Sequence, residues 1–321
     1  MIVLLGASGY VGSAFRQALE ARSEPYLALS RETVDYTDFE ILVRLLQDRR
    51  PSFLINAAGY TGKPNVDACE TARADTIAGN VLLPATISHA CAETGTPWGH
   101  VSSGCIYQGG IVAGKITRDL SSRDLQLQLA TSPELLEGFR ESDESNFSFR
   151  RPPCSFYSGC KALAEEMLAA DRQVYLWRLR IPFNEIAHAR NYLQKLQTYA
   201  KVYDNINSLS HLNDFVRACL ELWERRAPFG AYNVTNPGYV STRQVIDMIK
   251  NLLRPSREFI FWEDDAAFYR EAAQAPRSNC VLNSEKLVAA GVQLRNVQSA
   301  LVDALTNWTT MAEHHGGQTR A

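Results

Sequence analysis

Short apolar runs alternate with longer amphipathic stretches from the first residue onward, and from about Asn184 the alternation becomes ragged. Ile2 to Leu5 are apolar without a polar break, the pattern of a strand buried on both faces of a parallel sheet. A helical spacing follows in Ser13, Ala14, Phe15, Ala18 and Leu19. Pro25 to Leu29 predicts a second strand, ending at Ser30 and Arg31. Asp35-Tyr36-Thr37-Asp38 leads into a helix over Phe39 to Asp48, with Thr37 or Asp38 as its cap. Pro51 to Ile55 predicts a third strand, a long helix runs around Asn80 to Glu93, and Trp98 to Ser102 predicts a fourth strand. A helix opens at Ser155, and Val174 to Leu179 is strand again. This order predicts an α/β fold with a doubly wound parallel sheet.

The remainder predicts a smaller lobe. It holds a short helix from Asn191 to Tyr199, a helix from Ser210-Asp214 to Glu224, a strand from Ala231 to Val234, and a last helix pair separated by Ala275-Pro276-Arg277-Ser278-Asn279. The expected division is a dinucleotide-binding domain over residues 1–180 and about 208–235, with a substrate lobe over 181–207 and 236–310. Residues 311–321, which include His314 and His315, read as a disordered tail. Residues 109–154 are polar and lack clear periodicity, which fits a functional lid or partial disorder.

A chain of 321 residues suits one large α/β domain or two intimately joined ones. A formal charge of -2 gives no electrostatic footprint for nucleic acid or an acidic membrane. No apolar run reaches the length of a membrane span. The start MIVLL lacks a basic n-region and runs into a glycine turn, so it reads as the first strand rather than a signal peptide. Seven scattered cysteines without a C-x-x-C pair fit reduced thiols in a cytoplasmic compartment, and no metal site.

Candidate chemistry begins at the first strand-to-helix junction. Gly6, Gly9 and Gly12 stand there at three-residue spacing. The first permits the tight turn, the second lets backbone approach a pyrophosphate, and the third lets helix pack on strand. The candidate cofactor-binding residues are Gly6, Ser8, Gly9, Tyr10, Val11 and Gly12 on this turn, with Ser30, Arg31 and Asp35 beyond the second strand. Asn56, Ala57, Ala58 and Tyr60 beyond the third complete the set with Tyr157 and Lys161. Ser30 and Arg31 offer a donor and a cation where an acidic residue would bind ribose hydroxyls and repel a 2′-phosphate, so NADPH is expected over NADH.

Tyr157 and Lys161 are four apart and share one helical face, and Ser103 stands at a preceding strand end. A free phenol, with a pKa near ~10, is a weak acid at neutral pH. A nearby ammonium is expected to bring it down, while Ser103 polarises a carbonyl as hydride arrives.

Together these features resemble the extended short-chain dehydrogenase/reductase superfamily, which has a Rossmann sheet. Several stretches narrow the likeness: Asn56-Ala57-Ala58-Gly59-x-Thr61-Gly62-Lys63-Pro64-Asn65-Val66-Asp67-x-Cys69-Glu70, Gly104-Cys105-Ile106, Ser155-Phe156-Tyr157-Ser158 and Ala275-Pro276-Arg277-Ser278-Asn279. They resemble plant-type and giant-virus-type nucleotide-rhamnose synthase epimerase/reductases, relatives of dTDP-4-dehydrorhamnose reductase. The resemblance runs from residue 1 to about 308. It implies reduction at C4 of a UDP- or dTDP-linked 4-keto-6-deoxyhexose with NADPH. Thr61, Lys63, Asn65, Ser103, Asn191, Arg277 and Asn279 are the candidate substrate-binding residues, Arg277 as a charge partner for the diphosphate. Family members also epimerise C3 and C5 with a cysteine matching Cys105 and a lysine matching Lys195. Cys105 lies two residues beyond Ser103, so along an extended strand end both side chains would point the same way. Two departures lie beside the substrate and bear on which sugar is handled: a longer stretch before Tyr157, and the interruption Phe149-Arg150-Arg151-Pro152-Pro153-Cys154. Gly104-Cys105 stands where dehydratases of the superfamily carry Asp-Glu, which disfavours dehydration. A redox-neutral nucleotide-sugar epimerase with bound NAD and a non-catalytic NADP-binding redox sensor are the alternative readings, and a homodimer is the assembly left open.

Overall fold

The computed structural model describes residues 1–309, and the tail expected over 311–321, with His314 and His315, lies outside the described residues. In chain order, β1 (Ile2–Leu5), α1 (Tyr10–Ala21), β2 (Tyr26–Leu29), α2 (Phe39–Arg49), β3 (Phe53–Asn56), α3 (Leu83–Thr94) and β4 (Trp98–Ser103) follow the predicted alternation. α4 (Phe156–Leu168) and β5 (Val174–Leu179) continue it. Then come α5 (Tyr192–Thr198), α6 (Leu212–Glu224), β6 (Gly230–Asn233), α7 (Thr242–Leu253) and α8 (Val297–Thr306). The six strands form one parallel sheet in the order β6-β5-β4-β3-β1-β2. From β1 the chain steps one way to β2 and the other way through β3 to β6. The carboxyl ends of β1 and β3 therefore meet at the switch point, where Leu5 pairs with Asn56.

The unbroken apolar run of β1 has a packing reason. Ile2 and Leu4 share a core with Phe15 and Leu19 of α1 and Phe215, Val216 and Cys219 of α6. Val3 and Leu5 face the other way, into Leu42, Val43 and Leu46 of α2 and Leu83 and Ile87 of α3. Each such side chain contributes roughly 1.5–3 kcal/mol on burial, so both helix layers are held by the strands they cover. Of the two candidate caps of α2, Asp38 is the one used, accepting from the Ile41 amide at 3.0 Å. The long helix predicted around Asn80 to Glu93 is interrupted at its start, where Ala78–Leu82 wind as a π turn before α3.

A separate core gathers Phe183, Leu193, Leu196, Val245, Ile246, Ile249, Val297 and Leu301, from α5, α7, α8 and their connections. Residues 109–154 are packed rather than disordered. Their strands Gly110–Val112, Lys115–Thr117 and Leu136–Glu137 form a small antiparallel sheet. Leu120, Leu129 and Leu136 bury against Ile206 and Val281. The segment is stitched to residues 279–283 by Gly109 N–H to Asn279 O at 2.6 Å and Phe139 N–H to Val281 O at 2.9 Å. Partners so distant in sequence leave no local periodicity to read.

Candidate active site

The glycine turn is dictated by backbone space. Gly6 has φ +76°, and a Cβ there would stand 2.6 Å from the Ala58 amide nitrogen. A Cβ on Gly12 would meet the Gly6 carbonyl oxygen at 2.0 Å. Gly9 is less constrained, its Cβ position lying 3.3 Å from the same oxygen. Ser8 and Gly9 are exposed at the amino end of α1, whose first turn carries no acidic residue. The cradle between this helix end and the Ala57-Ala58 backbone fits a dinucleotide pyrophosphate. Val11 is half-buried against the core. The Tyr10 side chain instead reaches the segment after β5, donating to Asn184 Oδ1 at 3.0 Å and stacking on His188 at 4.5 Å between centroids.

Three predicted cofactor residues have side chains committed elsewhere. Tyr10 is the first. Asn56 is buried, accepts from the Ala58 amide at 3.0 Å and contacts His100 Nδ1 at 3.0 Å, so it shapes the cradle through backbone. Burial holds His100 neutral, with its pKa well below the ordinary value. Asp35 spends its carboxylate on the amide and hydroxyl of Thr37, which together with the Arg31 charge hold its pKa low. Arg31 itself is exposed just beyond β2 and has no ion pair among the described residues, while Ser30 is half-buried beside it. Tyr60 is half-buried, and its carbonyl accepts from Asn80 Nδ2 at 2.6 Å.

α4 presents the predicted pair. Ser155 caps it by accepting from the Ser158 amide at 3.1 Å, and Glu70 takes the Phe156 amide at 2.7 Å. Lys161 is buried, lies 6.0 Å from the Tyr157 ring centroid and donates to Val101 O at 3.3 Å. Burial pushes the Lys161 pKa down and the Tyr157 pKa well up; the Cys105 and Cys69 thiols add to the latter and Arg190 opposes it. The expected lowering of the phenol by Lys161 is therefore not met: burial dominates, and Arg190 is the cation that opposes it.

Ser103 ends β4 and accepts from the Cys105 amide at 3.2 Å. Gly104–Ile106 form a 3-10 turn, so Cys105 leaves a turn and not an extended strand end. Its thiol nonetheless lies beside the hydroxyls of Ser103 and Ser158; burial dominates and holds its pKa above the ordinary value, with those hydroxyls, Arg180 and Lys161 opposing.

Asn80 is a residue that the sequence reading missed. It sits fully buried in the π turn, donates to Tyr60 O and Thr76 O, and leaves Oδ1 without a partner. A Cβ on Gly59 would stand 3.2 Å from that oxygen and 3.9 Å from Lys161 Nζ, so Asn80 and Lys161 border one small space. Helix irregularities often mark functional sites, but periodicity alone does not reveal this one.

On the substrate side, Thr61, Lys63 and Asn65 lie on an exposed loop, with Asn65 Oδ1 accepting from the Asp67 amide at 2.8 Å. Arg277 does not present a free cation: its two terminal nitrogens grip Asp67 at 2.5 and 2.6 Å. Asn191 is also spent, capping α5 and donating to Asn184 O, Asn184 Oδ1 and Ile186 O at 2.8–2.9 Å. Asn279 is buried, accepts from Asn207 Nδ2 at 3.1 Å and leaves its own Nδ2 unpartnered. Lys195 is half-buried without an ion pair among the described residues, its pKa lowered by burial and by Arg190. No hydrogen bond joins it to Cys105 among the described residues. Arg190, also missed, donates to Gly62 O at 2.9 Å and places its charge near Tyr157, Cys69, His188 and Lys195.

A cavity of about 330 Å³ opens behind α4, lined by Ile106, Glu165, Arg178 and Ala231 among others, away from this cleft. Among the described residues no cluster could hold a metal ion, and no helix is long and apolar enough to cross a membrane.

Comparison with known proteins agrees in one direction. The sequence profile of the RmlD substrate binding domain matches residues 1–310. The chain is 30% identical over 301 residues to the bifunctional dTDP-4-dehydrorhamnose 3,5-epimerase/dTDP-4-dehydrorhamnose reductase of Arabidopsis thaliana, covering 94% of this chain and 90% of that protein. A trifunctional UDP-glucose 4,6-dehydratase/UDP-4-keto-6-deoxy-D-glucose 3,5-epimerase/UDP-4-keto-L-rhamnose-reductase of the same plant is 28% identical; the match spans 94% of this chain but 41% of that protein. The crystal structure of the L780 UDP-rhamnose synthase of Acanthamoeba polyphaga mimivirus superposes with a TM-score of 0.80 at 21% identity, over 95% of this chain and 98% of that one.

Proposed function

Because the chain belongs to the family of the RmlD substrate binding domain, we propose that it reduces, with NADPH, the C4 ketone of a nucleotide-linked 4-keto-6-deoxyhexose. The observation that carries this reading is the meeting of three parts at the carboxyl edge of one sheet. These are the Gly6–Gly12 turn, Ser103 at the end of β4, and Tyr157 with Lys161 on one face of α4. Bound at the turn, NADPH supplies the hydride. Gly6, Gly9 and Gly12 make room for its pyrophosphate, Ser30 and Arg31 meet its 2′-phosphate, and Lys161 reaches its ribose.

The residues then handle one proton and one oxygen. The Ser103 hydroxyl donates to the ketone oxygen and polarises it. Tyr157, kept protonated by burial, gives its proton to that oxygen as hydride reaches the carbon, so ketone becomes alcohol. Lys161 offsets the phenolate left behind. Inversion at C3 and C5 is the second activity in this reading. Cys105 and Lys195 serve as the acid-base pair that removes a proton next to the ketone and returns one from the opposite face.

The dinucleotide domain is assigned to residues 1–180 and about 208–235, and the substrate lobe to 181–207 and 236–310. The separate core around Phe183, Val245 and Leu301 supports this division. Seven free thiols support a reducing, cytoplasmic setting. The test is NADPH absorbance with UDP- and dTDP-4-keto-6-deoxyglucose. Consumption with one of them is expected; no consumption, or a purified protein already carrying NAD, would overturn the reading.

A further inference from the structure

Two arginines stand two residues apart at the end of β5, equally buried and differently paired. Arg178 is held by Glu165 through Nε at 3.0 Å and Nη2 at 2.7 Å. Arg180 is 6% exposed and has no ion pair among the described residues. Its Nη2 donates to Asn207 Oδ1 and Ser278 O, both neutral, and its Nε has no acceptor. A buried cation without a counter-charge is costly and calls for an anion nearby.

We propose that Arg180 is the electrostatic partner of the Cys105 thiolate, a positioning charge for the proton abstraction assigned above to that sulfur. This rests on the epimerase reading of Cys105. The geometry limits the alternatives. The Gly104-Cys105 turn lies on Arg180, since a Cβ on Gly104 would stand 3.6 Å from Arg180 Cδ. Cys280 is also within reach of the charge, but its S–H donates to Gly104 O at 3.2 Å and so stays protonated. The Tyr192 phenol is hydrogen-bonded to Thr242 at 3.2 Å, and burial keeps it neutral. Two hydroxyls, those of Ser103 and Ser158, stand beside the Cys105 sulfur, whereas the Ser278 hydroxyl beside Cys280 is spent on Tyr107 O at 2.6 Å.

The charged and titratable groups facing Cys105 come from every neighbouring element. α4 contributes Tyr157 and Lys161, the segment before it Cys154 with Glu70 behind, the end of β5 Arg180, and the 275–283 segment Cys280. Burial dominates and favours the thiol, while the two hydroxyls and the two cations favour the thiolate, so losing the Arg180 charge would shift the balance further toward the thiol. As thiolate, the sulfur takes a proton from the carbon next to the ketone. The C–H pair becomes the C=C bond of an enolate as the carbonyl π pair moves onto the ketone oxygen, and a proton returned to that carbon from the other face restores the ketone with no net oxidation.

The test is the pH dependence of iodoacetamide alkylation at Cys105, resolved by peptide mass spectrometry, with Cys154 as internal control. Arg180→Gln keeps a donor for Asn207 and loses the charge, and should raise the Cys105 midpoint by about one pH unit or more. Arg180→Lys keeps the charge and should stay within about half a unit of wild type. Equal midpoints in both variants, or a glutamine variant like wild type, would overturn the pairing. If the glutamine variant does not fold, the wild type suffices. Anionic iodoacetate should gain on neutral iodoacetamide several-fold more at Cys105 than at Cys154, and equal gains would overturn the proposal. Solvent deuterium incorporation at C3 and C5 reports on the epimerase reading separately, since alkylation needs no substrate.

Discussion

The glycine turn of the cleft lies within seven consecutive residues, Gly6 to Gly12, while the candidate substrate end joins segments as far apart as Asp67 and Arg277, separated by 210 positions. At the first end the determinants are backbone: a positive φ at Gly6 and a missing Cβ at Gly12. At the second they are side chains whose partners decide their roles. Arg277 is neutralised by Asp67, Arg178 by Glu165, and Arg180 by no carboxylate among the described residues. Residue type therefore predicts role well where backbone space dominates. It predicts poorly where a charge can be claimed by a distant neighbour.

Substitutions at the two ends should separate accordingly. The largest effect is expected at the chemical step. Tyr157→Phe keeps the ring and removes the proton donor, so turnover should fall by roughly 10²–10⁴-fold with NADPH affinity unchanged. Near-normal turnover by NADPH absorbance, beside an unaltered fluorescence titration, would remove Tyr157 from the proposed role.

Next comes the buried pair behind the substrate end. Glu165 also accepts from Ser102 Oγ at 2.5 Å, next to Ser103. Glu165→Ala would strand Arg178 and should cost about 3–5 kcal/mol in urea unfolding. A loss under about 1 kcal/mol would mean that this pair resembles an exposed one.

The cofactor turn should discriminate between its own glycines. Gly12→Ala drives a methyl into the Gly6 carbonyl and should cost about 1–3 kcal/mol together with NADPH binding. Gly9→Ala should change stability by less than about 0.5 kcal/mol. Equal costs would show that spacing, and not contact, sets the role of each glycine. The smallest effect is expected at Arg31. NADPH should bind more tightly than NADH in the wild type, and Arg31→Asp should reverse the order, a swing of about tenfold or 1.4 kcal/mol. Fluorescence titrations giving equal wild-type affinities would sink the 2′-phosphate assignment.

The sheet, its helices and the Tyr157–Lys161 pair were legible because each rests on an unbroken apolar run, a repeat of 3.6 residues or a local glycine turn. Asn80 was not, since its π turn leaves no mark on the apolar spacing. The ordered excursion over 109–154 escaped for a related reason: its pairing partners lie at residues 279–283.

By itself the chain determined the α/β alternation, the anion-binding turn and the candidate proton donor, all consequences of short-range sterics and periodic burial. Tertiary structure alone decided which charges remain available. It closed Arg277 onto Asp67, used up Asn191, drew the Tyr10 ring to His188, and raised the Tyr157 phenol through burial where the sequence predicts a lowered one. The physical reason is that desolvation and counter-charges depend on distance in space, and sequence spacing carries that information only within a turn or a strand.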